Sequence, residues 1–578
     1  MKNPNEKRQI VMCLLILWAP IGLSFIAAAI QDWNYVFDDS FITYRYAKNL
    51  AMGHGITWNI GQNPTEGYTN FLLVVVLAPF IKAGFDPLLV TRVISYASLV
   101  AIALILFTVA RSHYGCSALS AMMVTALIFL VPETKSLCLL GMETIIYSLF
   151  LLTSFVAGMA FINRQRTSSS VVFSCLLFLT ILLRPEATML YPVIFVSYCV
   201  LAFRRNSIQL KPLIVGFLFL IAIGSVYLTW KVLYFGHLLP NPFYIKASGS
   251  YFVSSLGMRT VQSFFSSHSL ILALIYPSLL MVFLSGNYRN NDKVIMLSAV
   301  SFLLFYLCFF ARCDTLMDVK GRFLYPLIPL VICLIIPIFV WMSGVLNELI
   351  GRRLILLVGA LIAFLLAFGP RDILEIYGNS KKLSPNNKWR ISDLLMQKER
   401  RVATALANLP DIAQVRIAGS DSGGIPYFSG AVWLDIVGLN DSFIARTRDN
   451  KSLVDYFFNW NADLVIQESN KDGSWIQYGH GPLGDKSSWA SDPRWDRYYY
   501  VGTVKTGGKM YDLQFFVNKS SKFSPSLESF LKNNVVDGWY DPSPYSIGTY
   551  KLKREIEPKW VIRTVPLDNI MPDGKNLE

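Results

Sequence analysis

Along the first 370 residues, apolar and polar positions alternate in long blocks. Apolar stretches of spanning length, roughly 17–25 residues, occur near 10–30, 88–110, 117–131, 143–162, 170–183, 187–203, 212–235, 268–286, 294–310, 323–345 and 354–369. The first is longer than the ~7–15-residue apolar core of a signal peptide and reads as an uncleaved anchor. Segment 71–84, "FLLVVVLAPFIKAG", is interrupted by Pro79 and Lys82 and reads as a helix at the outer surface. With that choice Arg111, Arg164, Arg166, Arg204, Arg205, Lys211, Arg289, Lys293, Arg352 and Arg353 fall on one side with Lys2, Lys7 and Arg8. The opposite short loops carry about half as many basic residues, as the positive-inside rule requires. The pattern predicts eleven spans, with the N-terminus cytoplasmic and the C-terminus external. After Pro370 it changes: 371–578 is polar, rich in Trp and Tyr, and long enough for its own core. There "VRIAGSDSGGIPYFSGAVWLDIVGLND" reads as strand, Gly-rich turn, strand, and "NADLVIQES" (461–469) as another buried strand. The expectation is a polytopic α-helical membrane domain over 1–370, with a first external loop at 31–87, followed by a soluble α/β domain over 371–578.

Composition agrees. The 578 residues are 53% hydrophobic and only 16% charged, with mean hydropathy +0.44; a soluble chain carries nearer ~25% charged residues. The net charge of +14 is therefore read as topological rather than as a nucleic-acid footprint. Eight cysteines, none beyond residue 370 and none in a CxxC, give neither a metal site nor a disulfide framework.

The topology gathers the polar residues capable of chemistry on the external face. "FDDSFITYRYAKNLAMGHG" (37–55) opens with Asp38 and Asp39. One aspartate can cap the helix that follows. Two adjacent ones at a membrane–water boundary can also take a proton from an alcohol or hold a divalent cation. Arg45, Lys48 and His54 follow; they either face lipid headgroups or form a cationic seat for a lipid phosphate, Arg45 best through its planar fork. Glu66, Glu143, Arg184 and Glu186 lie beside spans on the same face, as do Asn241, Lys246, Asp314, Lys320 and Arg322. Arg184 and Glu186 can pair with each other, and Lys246 and Lys320 can snorkel; together the group points to a polar cavity open to that side. "GSDSGGIPYFSG" (419–430) lacks both nucleotide patterns, GxxxxGK[ST] and GxGxxG, and reads as a tight turn with Asp421 as an Asx cap.

In order along the chain stand "DDSFITYRYAKNLAMGHG", "EGYTNFLL", "LGMET", "LRPE", "YFGHLLPNPFYIK", "RFLYPLIP" and "DSGGIPYFSGAVWLDIVGLND". This series resembles the GT-C-type glycosyltransferases that use polyprenyl-phosphate donors, in particular the terminal arabinofuranosyltransferases of actinobacterial cell walls and their Gram-negative relatives. The resemblance runs from residue 37 to about 445. The relatives often carry "GGDWM" where this chain has "ARCDTLM", and beyond 450 it fades.

The resemblance implies a GT-C-like fold and a sugar, arabinofuranose or a similar pentose, moved from a polyprenyl-phosphate carrier to an envelope glycan or surface glycoprotein. It implies Asp38 or Asp39 as base or metal holder, and Arg45, Lys246 and Arg322 on the donor phosphate. Sugar and acceptor contacts fall to His54, Glu66, Glu143, Arg184, Glu186, Asn241 and Asp314. A divalent cation is the one cofactor left open; partners are the lipid-linked sugar, the acceptor and the bilayer, with no nucleic acid. The location implied is the bacterial inner membrane, with the C-terminal domain periplasmic. A non-enzymatic assembly or virulence factor on the same fold, or a lipid-linked sugar transporter, are the alternatives; a transporter would place its ionisable residues at the bilayer midplane.

Overall fold

The computed structural model describes residues 17–31, 33, 36–204, 209–246, 254–285, 288–313, 315, 318–349, 402–420, 422–469, 475, 492–504 and 512–534. The chain divides into two compact units. The first comprises Met1–Tyr35, Thr91–Ala222 and Gly249–Pro385; the second, Val36–Val90, Ile223–Ser248 and Asn386–Glu578. Residues 36–90, which hold most of the expected first external loop, fall in the same unit as 386–578.

Among the described residues six helices are long and apolar enough to cross a bilayer: Pro87–Ser112, Thr144–Arg164, Pro185–Phe203, Leu210–Phe235, Asn290–Arg312 and Val319–Met342. Two further helix pairs among the described residues are sharply bent, each a broken span or a re-entrant loop. Ala118–Leu130 meets Glu133–Leu139 at 64°, and Ser255–Ser267 meets Ser269–Leu284 at 77°. The first break falls at Pro132, whose ring cannot continue a helix. Ala19–Ile30 and Thr167–Leu183 are apolar but shorter, and the expected span at 354–369 lies outside the described residues. Phe71–Lys82 is a 12-residue helix with Pro79 inside it; at 1.5 Å per residue it covers about 18 Å, short of the ~30 Å hydrocarbon core.

Helix packing in the first unit uses small residues and hydroxyls. A Cβ on Gly158 would come within 2.8 Å of Ile194. Ser154 and Thr180 share a hydrogen bond of 2.8 Å, and Ser174 Oγ donates to the Gly216 carbonyl at 2.9 Å. Apolar side chains face both lipid and neighbouring helices, so close approach and interhelical hydrogen bonds supply specificity.

In the second unit, β1 (Arg416–Gly419), β2 (Val432–Asp435), β3 (Leu464–Ser469), β4 (Tyr498–Val504) and β5 (Asp512–Asn518) form one sheet in the order β2-β1-β3-β5-β4. β1 runs parallel to β2 and β3, while β5 is antiparallel to β3 and β4. Both strands expected within 415–441 are found, but between them the Gly-rich segment forms a short helix, Gly424–Ser429, rather than a turn alone; the strand expected at 461–469 runs from Leu464 to Ser469. Helix Asn450–Trp460, capped by the Asp449 carboxylate on Ser452 N–H at 2.9 Å, lays Leu453, Val454, Phe457 and Phe458 on Ala418, Leu434 and Val465. All six residues of β3 are buried, as a strand covered on both faces must be.

Candidate functional site

The helix Asp39–Ala51 buries Ser40 to Ala47 and Asn49 within the second unit. This sets aside the reading in which Arg45 lies among lipid headgroups. Its donors meet oxygens of the protein itself. Its Nε donates to Trp58 O (2.9 Å), Nη2 to Asn59 Oδ1 (3.1 Å) and Ala431 O (2.8 Å), and Nη1 to Pro426 O. The guanidinium also stacks 4.5 Å from the Trp58 ring centre. Burial lowers its pKa to about 9. Four of its five N–H donors are committed to oxygens of two chain segments, so Arg45 acts as a clamp between the first loop and the sheet domain. Arg45→Lys is therefore expected to lower stability by about 3 kcal/mol, since one ammonium cannot meet carbonyls spread over a fork. Thermal melting in detergent checks this; weakened donor binding at unchanged melting temperature would return Arg45 to the phosphate.

Asp38 occupies the N-cap position of its own helix yet makes no side-chain cap there. Its Oδ1 instead accepts Gly424 N–H at 2.5 Å, at the start of the helix Gly424–Ser429. This explains the paired glycines of "DSGGIPYFSG": a Cβ on Gly423 would overlap the Asp38 carboxylate. Asp421, the expected Asx cap, lies outside the described residues. Gly423→Ala is expected to cost about 1–3 kcal/mol through that overlap, and Asp38→Ala in the same chain should recover part of it. Strictly additive losses in the two single variants and the double variant would refute the contact.

Further ties complete the docking of loop on domain. The Asn59 amide pairs with both N–H and C=O of Trp433 at 2.9 Å each, closing the open side of edge strand β2. The Asp435 carboxylate accepts N–H groups from Val437 (3.0 Å), Gly438 (3.2 Å) and Asn440 (2.9 Å), which shapes the "DIVGLND" turn; burial raises its pKa to about 6. Tyr46 Oη donates to Asn440 Oδ1 (3.1 Å) and accepts Gly67 N–H (3.0 Å).

Beside this lies a buried charged cluster. Glu66 pairs with Lys231 at 2.9 Å, with side-chain exposures of 6% and 8%. Burial raises the Glu66 pKa, against the opposing effect of Lys231. Asn241, fully buried, donates its backbone N–H to Glu66 O at 2.9 Å and accepts Arg446 Nη2 at 3.3 Å. Tyr244 lies against the Arg446 guanidinium, its ring centre 4.9 Å away. His237 is held down to about 4 by burial and by Arg446, so it stays neutral. Half-buried His54 follows the C-terminal turn of Asp39–Ala51, donating its N–H to Asn49 O. Lys246 ends the helix Asn241–Lys246, and its side chain lies outside what is described.

The first unit holds its own cluster. Arg184 reaches Glu186 at 2.6 Å and Glu143 at 3.1 Å, all three buried. Its guanidinium lies 5.0 Å from the Phe323 ring and 5.7 Å from Tyr147. Arg322, 3% exposed, stacks 4.9 Å from Phe323. Asp314 lies outside the described residues. Among those residues no group of three or more His, Cys, Asp or Glu is arranged to hold a metal ion.

Two residues of these clusters escaped the sequence. Lys231 is the one cation in the helix Leu210–Phe235 beyond Lys211 at its start, a signal in itself. Arg446 follows the "GLND" motif and had no signal of its own.

The comparisons bear on fold. A family described as a domain of unknown function (DUF8728) matches residues 390–516. No curated protein matches the chain. Among solved structures, it is similar to ArnT from Cupriavidus metallidurans bound to undecaprenyl phosphate: TM-score 0.54, 12% identity, over 86% of this chain and 98% of that one. The apo form of that protein gives 0.52 and 13%, over 86% and 97%. The chain shares the fold of those structures, a polytopic helical membrane protein, with a C-terminal sheet-containing region.

Proposed function

We propose that the protein is a membrane glycosyltransferase that moves a sugar from a polyprenyl-phosphate donor to an envelope glycan or surface glycoprotein, with arabinofuranose or a similar pentose as the sugar. The reading places the reaction at the periplasmic face of the bacterial inner membrane. The observation that carries it is the likeness, over 86% of the chain, to a structure bound to undecaprenyl phosphate. Asp39, half-buried in the first turn of its helix, is our candidate base. It takes the proton of an acceptor hydroxyl as the oxygen attacks the anomeric carbon; the bond from that carbon to the phosphate oxygen breaks, and lipid phosphate leaves with the electron pair. Asp38 positions the loop through Gly424. His54 keeps its proposed acceptor contact, and Glu66 and Asn241 act as parts of the buried cluster. For the first unit, Arg322 keeps the phosphate role implied by the resemblance, while Arg184 holds Glu143 and Glu186 in place.

A panel of short-chain prenyl-phospho-sugars, offered with cell-envelope extract to the purified full chain, tests the reading. Labelled pentose on an acceptor is the expected result. Sugar that crosses a proteoliposome membrane without transfer would favour transport instead.

A further inference from the structure

We infer that Arg446 and Asn241, beside the Glu66–Lys231 pair, form a seat for a phosphate group, so that the C-terminal domain supplies a ligand-binding arginine. Identifying that phosphate with the donor headgroup rests on the transferase reading; the seat itself does not.

Two arginines of the same unit, Arg45 and Arg446, differ in how their donors are met. Neither makes an ion pair among the described residues. Arg45 is closed: carbonyl and amide oxygens meet its nitrogens. Arg446 is open. One nitrogen reaches Asn241 Oδ1 and the Tyr244 side chain interacts with the guanidinium, while buried Nε and Nη1 have no partner at standard hydrogen-bond geometry among the described residues. The Asn241 amide is fixed in orientation, because Arg446 Nη2 can only donate and so must meet Oδ1. That leaves Asn241 Nδ2, on a fully buried side chain, also without a partner.

Three unmet donors from two side chains, one of them cationic, ask for an acceptor rich in oxygen and negative charge. The one nearby carboxylate, Glu66, acts on Arg446 as well as on Lys231, which it meets at 2.9 Å; one carboxylate against two cations leaves the cluster with one net positive charge. A planar arginine fork with an adjacent amide matches two or three oxygens of a phosphate. Neighbouring backbone supports the geometry, since Asn241 N–H on Glu66 O and Ser442 Oγ on Asn241 Oδ1 (3.4 Å) hold Asn241 in place.

The test uses the full chain in detergent, titrated with undecaprenyl phosphate and, separately, with inorganic phosphate. Wild type, Arg446→Gln and Arg446→Lys are compared for binding and for melting temperature. Arg446→Gln is expected to weaken phosphate binding about 30-fold or more while melting no lower than wild type, because it removes a buried cation with unmet donors. Arg446→Lys, which keeps charge but loses the fork, should fall between. Lipid binding that inorganic phosphate displaces identifies a headgroup seat; binding of inorganic phosphate alone identifies a site for the free ion. Wild type that binds neither, or Arg446→Gln that melts lower with binding unchanged, overturns the inference. Binding lost in Arg446→Gln from a protein that transfers no sugar would retain the seat and reject the transferase.

Discussion

Asp39→Asn is expected to reduce sugar transfer at least ~100-fold while the protein still inserts, folds and melts close to wild type. The amide matches the carboxylate in shape but cannot take a proton from the acceptor, and loss of a positioned base is worth about 10²–10⁴ in rate. The structural loss is small, because Asp39 sits in the first helical turn, where a negative charge contributes only ~0.3–1 kcal/mol. Asp38→Asn is the informative companion. Its oxygen holds Gly424 N–H, so this variant should lose stability more than catalysis. Transfer at the wild-type rate in purified Asp39→Asn would remove Asp39 from the chemistry.

The second large effect is on stability. Arg184→Leu leaves Glu143 and Glu186 buried with their shared cation gone. Removing one member of a buried ionic group costs about 3–5 kcal/mol, because the remaining charges are uncompensated. The variant should be recovered in much lower yield and melt well below wild type. Adding Glu143→Gln and Glu186→Gln to Arg184→Leu removes both stranded charges and should restore most of the loss. Equal melting temperatures for wild type and the single variant would show that the triad is not closed as described.

Much of the architecture was legible because bilayer physics writes it in blocks: the long apolar helices, the short Phe71–Lys82 segment and the α/β character after 400 follow from segment length and composition. Among the described residues six to eight of the eleven expected spans are found: the breaks near Pro132 and His268 separate eight from six, Ala19–Ile30 and Thr167–Leu183 are apolar but short, and 354–369 lies outside the described residues. The site was less legible. Arg45 had the look of a phosphate cation, and no local pattern announces that carbonyls at Pro426 and Ala431 return to it from 381 and 386 residues away. The paired glycines were legible as a turn, but the reason for Gly423 is a carboxylate far away in sequence. Lys231 was hidden by averaging over its helix. Motif order did carry information: loop motifs and domain motifs interlock side chain by side chain in the second unit.

The most direct test of the central claim is a stoichiometry. Purified full chain is given a labelled prenyl-phospho-pentose and acceptor, and both sugar transferred and prenyl phosphate released are counted. One lipid phosphate released per sugar joined to acceptor is expected, with both lost in Asp39→Asn. Lipid phosphate released without sugar on any acceptor, or equal turnover in wild type and Asp39→Asn, would contradict it.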